Sequence, residues 1–253
     1  MLDLDTIVAH VIDAVGASDA VDPVAVRFLL SQYAATGRDD LSAIVGAALG
    51  RALGQHEGDR STPAEWLQLF ADAAVWSDDE QIRAATAQRL AGADGGAADA
   101  IDAALQASAA LGDGARLSSL VDDLERLIGR GYEPGDGVEA ADQFAVASAL
   151  LTAFEITGRL PYAMLAEELV QTSQRRGAAH TDAASACRAA RVLCRLASLH
   201  ADEAYVGAAV VAGGADYRGD AQRLLDDYAP RALETPRDAA LYGLALAHWL
   251  GLH

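Results

Sequence analysis

The sequence contains no lysine and no asparagine, and only two of its 253 residues are cysteines. Without lysine there is neither a Schiff-base lysine nor a phosphate-binding P-loop, and without asparagine there is no acceptor for N-glycosylation. Cys187 and Cys194 lie seven residues apart in a predicted helix, about 10 Å along its axis, which is too far for a disulfide. Two thiols without a histidine cluster also make a poor zinc site, so we expect neither a metal nor a cofactor.

Basic residues are scarce as well, with 19 arginines against 37 acidic residues and a net charge of −18. Such a charge repels the phosphates of nucleic acid and an anionic membrane surface, so we expect neither as a partner. No apolar run approaches the ~18 residues of a membrane span, and residues 1–5 lack the basic region of a signal peptide. We therefore expect a cytoplasmic protein.

Alanine is abundant where aromatic residues, at 6 %, are few, and apolar residues make up 52 % of the chain. Alanine is the best helix former because its side chain loses no rotamer freedom in a helix. No segment alternates apolar and polar residues as a half-buried strand does. The composition predicts a single all-α domain spanning residues 1–253.

An internal repeat is the most informative pattern in the chain. Residues 28–38 and 149–159 share leucines, an aromatic residue and a Thr-Gly-Arg turn in the same register. Similar turns at positions 37, 77, 112, 158 and 201 lie 40, 35, 46 and 43 residues apart. A period of this length is typical of helical hairpins. We therefore predict hairpins that turn at Gly37, Ser77, Gly112, Gly158 and Ala201.

Apolar periodicity divides these hairpins into about twelve helices. The first helix of each hairpin is the more uniformly apolar, which indicates burial, and the second is amphipathic. Acidic residues at the start of the second helices suit N-caps better than paired catalytic acids; these are Asp39, Asp40, Asp78, Asp79, Glu80, Asp202 and Glu203. The predicted helices are 2–15, 22–36, 39–54, 62–76, 78–91, 97–111, 115–130, 138–157, 160–175, 183–199, 203–233 with a break near 213–214, and 236–250.

The number and alternation of helices predict the architecture. Six apolar helices inside six amphipathic ones form an (α/α)6-like toroid if the first helix packs against the last. An open α-solenoid of the tetratricopeptide kind is the alternative, because it uses the same glycine-turn hairpins.

Two stretches, residues 142–169 and 216–249, carry a resemblance to a known family. They resemble the helical toroid of thioredoxin-domain-containing proteins of the spermatogenesis-associated type, which is related to the N-acylglucosamine 2-epimerases. The resemblance implies a toroid with a sugar pocket at one end. The family's asparagine-containing motifs and the epimerases' catalytic histidines have no counterparts here, so it implies a degenerate copy.

The longer loops place the expected pocket at the N-termini of the inner helices. Free N–H groups there suit hydroxyl-rich or anionic ligands. Asp142 is the candidate general acid/base or sugar-hydroxyl acceptor, or alternatively an N-cap, and His180 is a candidate base oriented by Asp182 or else a solvated loop residue. Trp66 would stack on a sugar ring or close a hairpin. The candidate ligand-binding residues are Glu65, Trp66, Tyr132, Glu133, Gln143, Asp182, Arg188 and Arg237.

One predicted helix carries three arginines on a single face: Arg188, Arg191 and Arg195. If that helix is internal, their charges need carboxylate partners or an anionic ligand. Cys187 precedes them in the first turn, as an activated thiol or as a small buried side chain.

Two functions remain open from the sequence. The first is binding or isomerisation of a small carbohydrate-like ligand, and the second is a non-catalytic module that contacts a protein partner. A polar pocket lined by Asp142, Glu65 and Arg188 favours the first function, whereas a centre filled with alanine and leucine favours the second.

Overall fold

The computed structural model describes residues 1–55, 64–93, 96–131, 140–177, 180, 182–209 and 213–252, with the backbone alone at 55, 130, 131 and 140–142. Within these ranges the chain is helical and contains no strand, which confirms the all-α prediction. The helices are α1 Leu4–Ala17, α2 Pro23–Thr36, α3 Asp39–Gln55, α4 Ala64–Trp76, α5 Glu80–Gly92, α6 Ala98–Leu111, α7 Gly114–Gly131, α8 Ala140–Thr157, α9 Leu160–Arg175, α10 Ala183–Ala201, α11 Glu203–Ala208, α12 Tyr217–Tyr228 and α13 Pro236–Leu250, with a 3-10 helix at Ala229–Arg231.

Glycines end three of the first helices of the hairpins. Gly37, Gly112 and Gly158 have φ angles of 66°, 70° and 68°, in the left-handed region that a side chain disfavours. At Gly37 the N–H donates to the carbonyl of Tyr33 at 2.8 Å, which satisfies one carbonyl of the last turn of α2. The predicted turns at these positions are confirmed.

Carboxylates begin two of the second helices. Asp79 accepts from the N–H of Gln81 and Asp202 accepts from the N–H of Ala204, each at 2.8 Å. These bonds confirm the capping interpretation at both positions. The interruption in the predicted helix 203–233 is longer than the expected break near 213–214, because α11 ends at Ala208 and α12 begins only at Tyr217.

Six of the described helices form a series in which each helix packs against the next. We call them the inner helices: α2, α4, α6, α8, α10 and α13. Each contacts the next, and α13 contacts both α10 and α2. The remaining helices pack against them in hairpins, as α3 does on α2 and α9 on α8. The inner helices carry most of the large buried side chains, including Phe28, Phe70, Ile101 and Tyr242.

The first helix packs against the last one. In α1 the side chains of Ile7, Val8 and Val11 are buried, and α1 contacts both α13 and α2. The N–H of Leu2 donates to the hydroxyl of Tyr242 at 3.4 Å, which joins the two ends of the chain. None of the described helices is long and apolar enough to cross a bilayer.

Candidate functional site

A cavity of about 290 Å³ lies among the inner helices, and all six contribute to its wall. Its lining begins within the first turns of α2, α4, α6 and α10, at the end of the helices where the longer loops suggest a pocket. The lining residues are Val24, Arg27, Ala64, Glu65, Gln68, Asp99, Asp102, Ser148, Ala184, Cys187, Arg188, Arg191, Val192, Arg195, Leu241 and Leu244.

Asp99, in the first turn of α6, forms an ion pair across the cavity wall. Its carboxylate accepts from the guanidinium of Arg188 on α10 at 2.8 Å. Burial nevertheless raises the pKa of Asp99 above its usual value, and the charges of Asp102 and Glu65 add to the increase while Arg188 opposes it. The protonated form of Asp99 is therefore favoured relative to that of an exposed aspartate.

Asp102 lies one turn farther along α6 and is 5 % exposed. Its two oxygens accept from the hydroxyls of Ser148 and Thr152, each at 2.7 Å, and from the amide of Gln106 at 2.9 Å. A buried carboxylate needs such donors to offset the loss of water. These bonds hold Asp102 in a fixed orientation at the cavity wall.

Two of the cavity arginines are held by carboxylates behind the wall. Arg27, the only charged residue of α2, donates to Asp72 and to the side-chain oxygen of Gln68, both at 2.6 Å. Arg195 donates to Glu155 at 2.9 Å and to Thr152 at 3.0 Å. The networks of Arg195 and Asp102 share Thr152, so α6, α8 and α10 are joined by polar contacts.

Arg191 differs from the other three arginines of the wall. Within the described part of the chain, no carboxylate or other side chain lies at ion-pair or hydrogen-bond distance from it, and its Nε is buried without an acceptor. Burial and the neighbouring charges of Arg27 and Arg195 lower the pKa of its guanidinium to about 10, although the charges of Asp102 and Asp72 oppose this decrease. The guanidinium remains charged at neutral pH.

The cavity includes two of the predicted site residues, Glu65 and Arg188. Arg237, another predicted residue, lies behind Glu65 and donates to it at 2.6 Å, and it also approaches Asp22 at 3.4 Å. The ion pair fixes the carboxylate of Glu65 at the end of the cavity formed by the first turn of α4.

The hydrogen bond by which Asp182 was expected to orient His180 is absent among the described residues. The carboxylate of Asp182 accepts from the N–H of Ser185 at 2.8 Å and caps α10. The ring of His180 packs edge-on against Phe144 at 5.2 Å, and among the described residues its buried Nδ1 has no hydrogen-bond partner. Burial lowers the pKa of His180, and neither His180 nor Asp182 lines the cavity.

Three further predictions concern side chains that the structure shows to be buried. Trp66 is 8 % exposed and stacks on Phe70 with ring centroids 6.4 Å apart, so it packs in the core and is not among the residues that line the cavity. Gln143 is also buried and lies outside the cavity wall. Burial raises the pKa of the Cys187 thiol to about 12, which favours the small buried side chain over the activated thiol. Cys187 and Cys194 are both free, which confirms the prediction that they form no disulfide.

The remaining predicted site residues are Tyr132, Glu133 and Asp142. The backbone of Asp142 lies in the first turn of that helix, and its side chain is outside the described residues. Tyr132 and Glu133 also lie outside the described residues.

Sequence reasoning missed Asp99, Asp102 and Arg27 as cavity residues. Each is a charged residue in a helix that is otherwise rich in apolar side chains. Charged residues are seldom buried without a partner, so an isolated charge in an inner helix was the available signal. In the described part of the chain, no three His, Cys, Asp or Glu side chains are grouped to hold a metal ion.

Comparison of the chain with models of protein families, with curated proteins and with solved structures finds no match. The arrangement of the site therefore provides the basis for inferring function.

Proposed function

We propose that the inner helices close into an α/α toroid that binds a small, hydroxyl-rich, carbohydrate-like ligand in its central cavity. The closure is supported by the contacts of α13 with both α10 and α2. The resemblance noted in the sequence implies a ligand at this end of the inner helices.

The polar wall of the cavity is the observation that carries this proposal. Carboxylates of Glu65, Asp99 and Asp102 accept hydrogen bonds, and the guanidinium groups and Gln68 donate them. Neighbouring sugar hydroxyls need both kinds of partner within a few ångströms. The volume of about 290 Å³ is near the lower limit for small-molecule sites, which suits a ligand of monosaccharide size.

Asp99 is the residue through which this site would act on a bound sugar. Its raised pKa favours a carboxyl group that can exchange a proton with a ligand oxygen. Arg188, at 2.8 Å, would stabilise the carboxylate left behind. Binding is the primary function proposed, and isomerisation would depend on this pair.

A thermal-shift screen against sugars, amino sugars, sugar acids and sugar phosphates tests the proposal. A ligand at 100 times its Kd adds about 2.7 kcal/mol to the free energy of unfolding. Replacing Asp99→Asn should weaken the shift, whereas Asp13→Asn on the exposed face of α1 should leave it unchanged. If no compound raises the melting temperature, or if both variants respond equally, the proposed site is wrong.

A second candidate, a protein-interaction module, is favoured by the exposed end of α4. Val75 and Trp76 are 69 % and 57 % exposed there, and two adjacent large apolar side chains are seldom so exposed. A photocrosslinking residue in place of Trp76 should then yield discrete crosslinked products in cells. The same residue in place of Asp13 is the control, and equal yields at both positions would count against this role.

A further inference from the structure

Arg188, Arg191 and Arg195 follow one another along the cavity-facing side of α10, each about one turn from the next. Arg188 pairs with Asp99 and Arg195 with Glu155. The fourth arginine of the wall, Arg27, pairs with Asp72. Among the described residues, Arg191 alone of these four has no carboxylate partner, although it lies between two that do.

A charged guanidinium without a partner in a partly buried site is costly, because it loses water without gaining a hydrogen bond. Asp102, the acid of the wall whose charge acts on Arg191, has other hydrogen-bond partners. Asp102 already accepts from Ser148, Thr152 and Gln106, and these contacts orient its oxygens. The donors of Arg191 are therefore available to a molecule in the cavity.

We propose that the ligand of this cavity carries a single carboxylate that pairs with Arg191, so that it is a sugar acid and not a neutral sugar; this inference rests on the proposed function. Guanidinium groups bind carboxylates with two parallel hydrogen bonds, which fixes the orientation of the ligand as well as its charge.

The charges around Arg191 favour a carboxylate over a phosphate. One unpaired guanidinium balances one negative charge. A phosphate, with close to two charges at neutral pH, would place its excess charge beside Asp99, Asp102 and Glu65, which line the same cavity. The carboxylates of the wall therefore select against the more highly charged group.

The same geometry orients the ligand. Arg191 lies one helical turn farther from the N-terminus of α10 than Arg188, and Asp99 and Glu65 lie in the first turns of their helices. The acid group is thus bound deep in the cavity, about 4.5 Å farther along the helix axis than Arg188. The hydroxyl groups then face Asp99 and Glu65 near the loop end.

Calorimetric titration with matched acid and neutral pairs tests this inference. The pairs are D-glucuronate and D-glucose, D-galacturonate and D-galactose, and D-gluconate and D-sorbitol, with D-glucose 6-phosphate as the dianion. At least one acid should bind about tenfold or more tightly than its neutral partner, because a hydrogen-bonded ion pair contributes that much. The phosphate should bind more weakly than that acid.

Arg191→Gln should remove the preference for the acid while leaving the affinity for the neutral sugar within about threefold. Arg191→Lys keeps the charge but not the paired hydrogen bonds, so it should retain part of the preference. Arg176→Gln, at an exposed position after α9, is the matched control and should change nothing. Because Arg191 has no partner to lose, the Gln variant should melt at or above the wild-type temperature; if it does not fold, the Lys variant provides the ratio.

The outcomes separate this inference from the proposed function. Equal binding of acid and neutral sugar, a preference that survives Arg191→Gln, or tighter binding of the phosphate would each overturn the inference and leave the sugar site in place. If no sugar binds but acetate or lactate binds through Arg191, the carboxylate site stands and the proposed function fails. If neither sugars nor carboxylates bind, both fail.

Discussion

Gly243 of α13 lies directly against the phenyl ring of Phe28 on α2. A Cβ built on Gly243 would be 2.5 Å from Cε2 and 2.7 Å from Cζ of that ring. Phe28 is fully buried, so the ring has no free space into which it can move. The packing of the last inner helix against the first at this point therefore depends on the absence of a side chain at position 243.

Gly243→Ala should destabilise the protein by about 1–3 kcal/mol, the usual cost of inserting a methyl group into a filled core. Urea unfolding followed by circular dichroism measures the change. Gly50→Ala is the matched control, because Gly50 is helical and exposed and a Cβ there meets nothing within 4 Å. The control should gain about 0.5–1 kcal/mol from helix propensity, and a Gly243→Ala variant that gains as much would show that α2 and α13 do not pack closely.

Packing of α1 on α13 gives a second prediction. Ile7 has no exposed surface, so Ile7→Ala should cost about 2–5 kcal/mol, whereas Ile12→Ala, at a partly buried position, should cost less.

Deletion of residues 1–15 should lower the melting temperature of the whole domain in one cooperative transition. If the truncated protein has the same melting temperature as the full chain, the open solenoid is favoured.

The sequence predicts the helices and their turns because these depend on local signals. A glycine after an apolar helix, as at Gly37, provides the left-handed residue that ends it, and Asp79 provides the next cap. Such signals involve residues only a few positions apart. They are visible without knowing what the helix packs against.

The residues facing the cavity were harder to predict, because a helix rotates by about 100° per residue. Glu65 and Trp66 are adjacent in the first turn of α4, yet Glu65 faces the cavity and Trp66 faces the core. His180 and Asp182 are close enough to interact, but the N–H groups at the start of α10 compete for the carboxylate. The three arginines of α10 were recognised because their spacing alone places them on one face.

The Asp99–Arg188 pair gives a third prediction. Burial raises the pKa of Asp99 and the charge of Arg188 partly offsets that increase. Arg188→Gln should therefore raise the pKa further, as measured by carbon-detected NMR titration of the carboxyl group. Arg176→Gln is the control, and a pKa of Asp99 that does not respond to Arg188→Gln would show that the two groups are not in contact in solution.

The pH dependence of stability follows from the same shift. The pKa of Asp99 is higher in the folded state than in the unfolded chain, so the folded protein is relatively stabilised below the usual aspartate value. That stabilisation is lost as the pH rises through the raised value. Asp99→Asn should remove this part of the pH dependence.

A fourth prediction concerns alkaline pH and the carboxylate of Glu167, which is 2 % exposed. The hydroxyls of Tyr217 and Tyr205 donate to it at 3.0 and 3.3 Å, and Nε2 of His200 lies 2.9 Å from it. Burial, together with the adjacent carboxylate, raises the pKa of Tyr205 to about 12 and also raises that of Tyr217. The neutral phenols are required because a phenolate would repel Glu167.

Since both phenols titrate higher in the folded state, their contribution to stability is complete below pH 10, the ordinary tyrosine value, and is lost as the pH rises towards 12. The free energy of unfolding should fall across that range. Tyr205→Phe should flatten the fall, because it removes one of the titrating groups, and Tyr33→Phe, at a partly buried position on α2, serves as the control. Ultraviolet difference spectra should show that the Tyr205 phenolate forms at a higher pH in the folded protein than in an unfolded chain. If Tyr205→Phe leaves the alkaline stability profile unchanged, the hydrogen bond between Tyr205 and Glu167 is not maintained in solution.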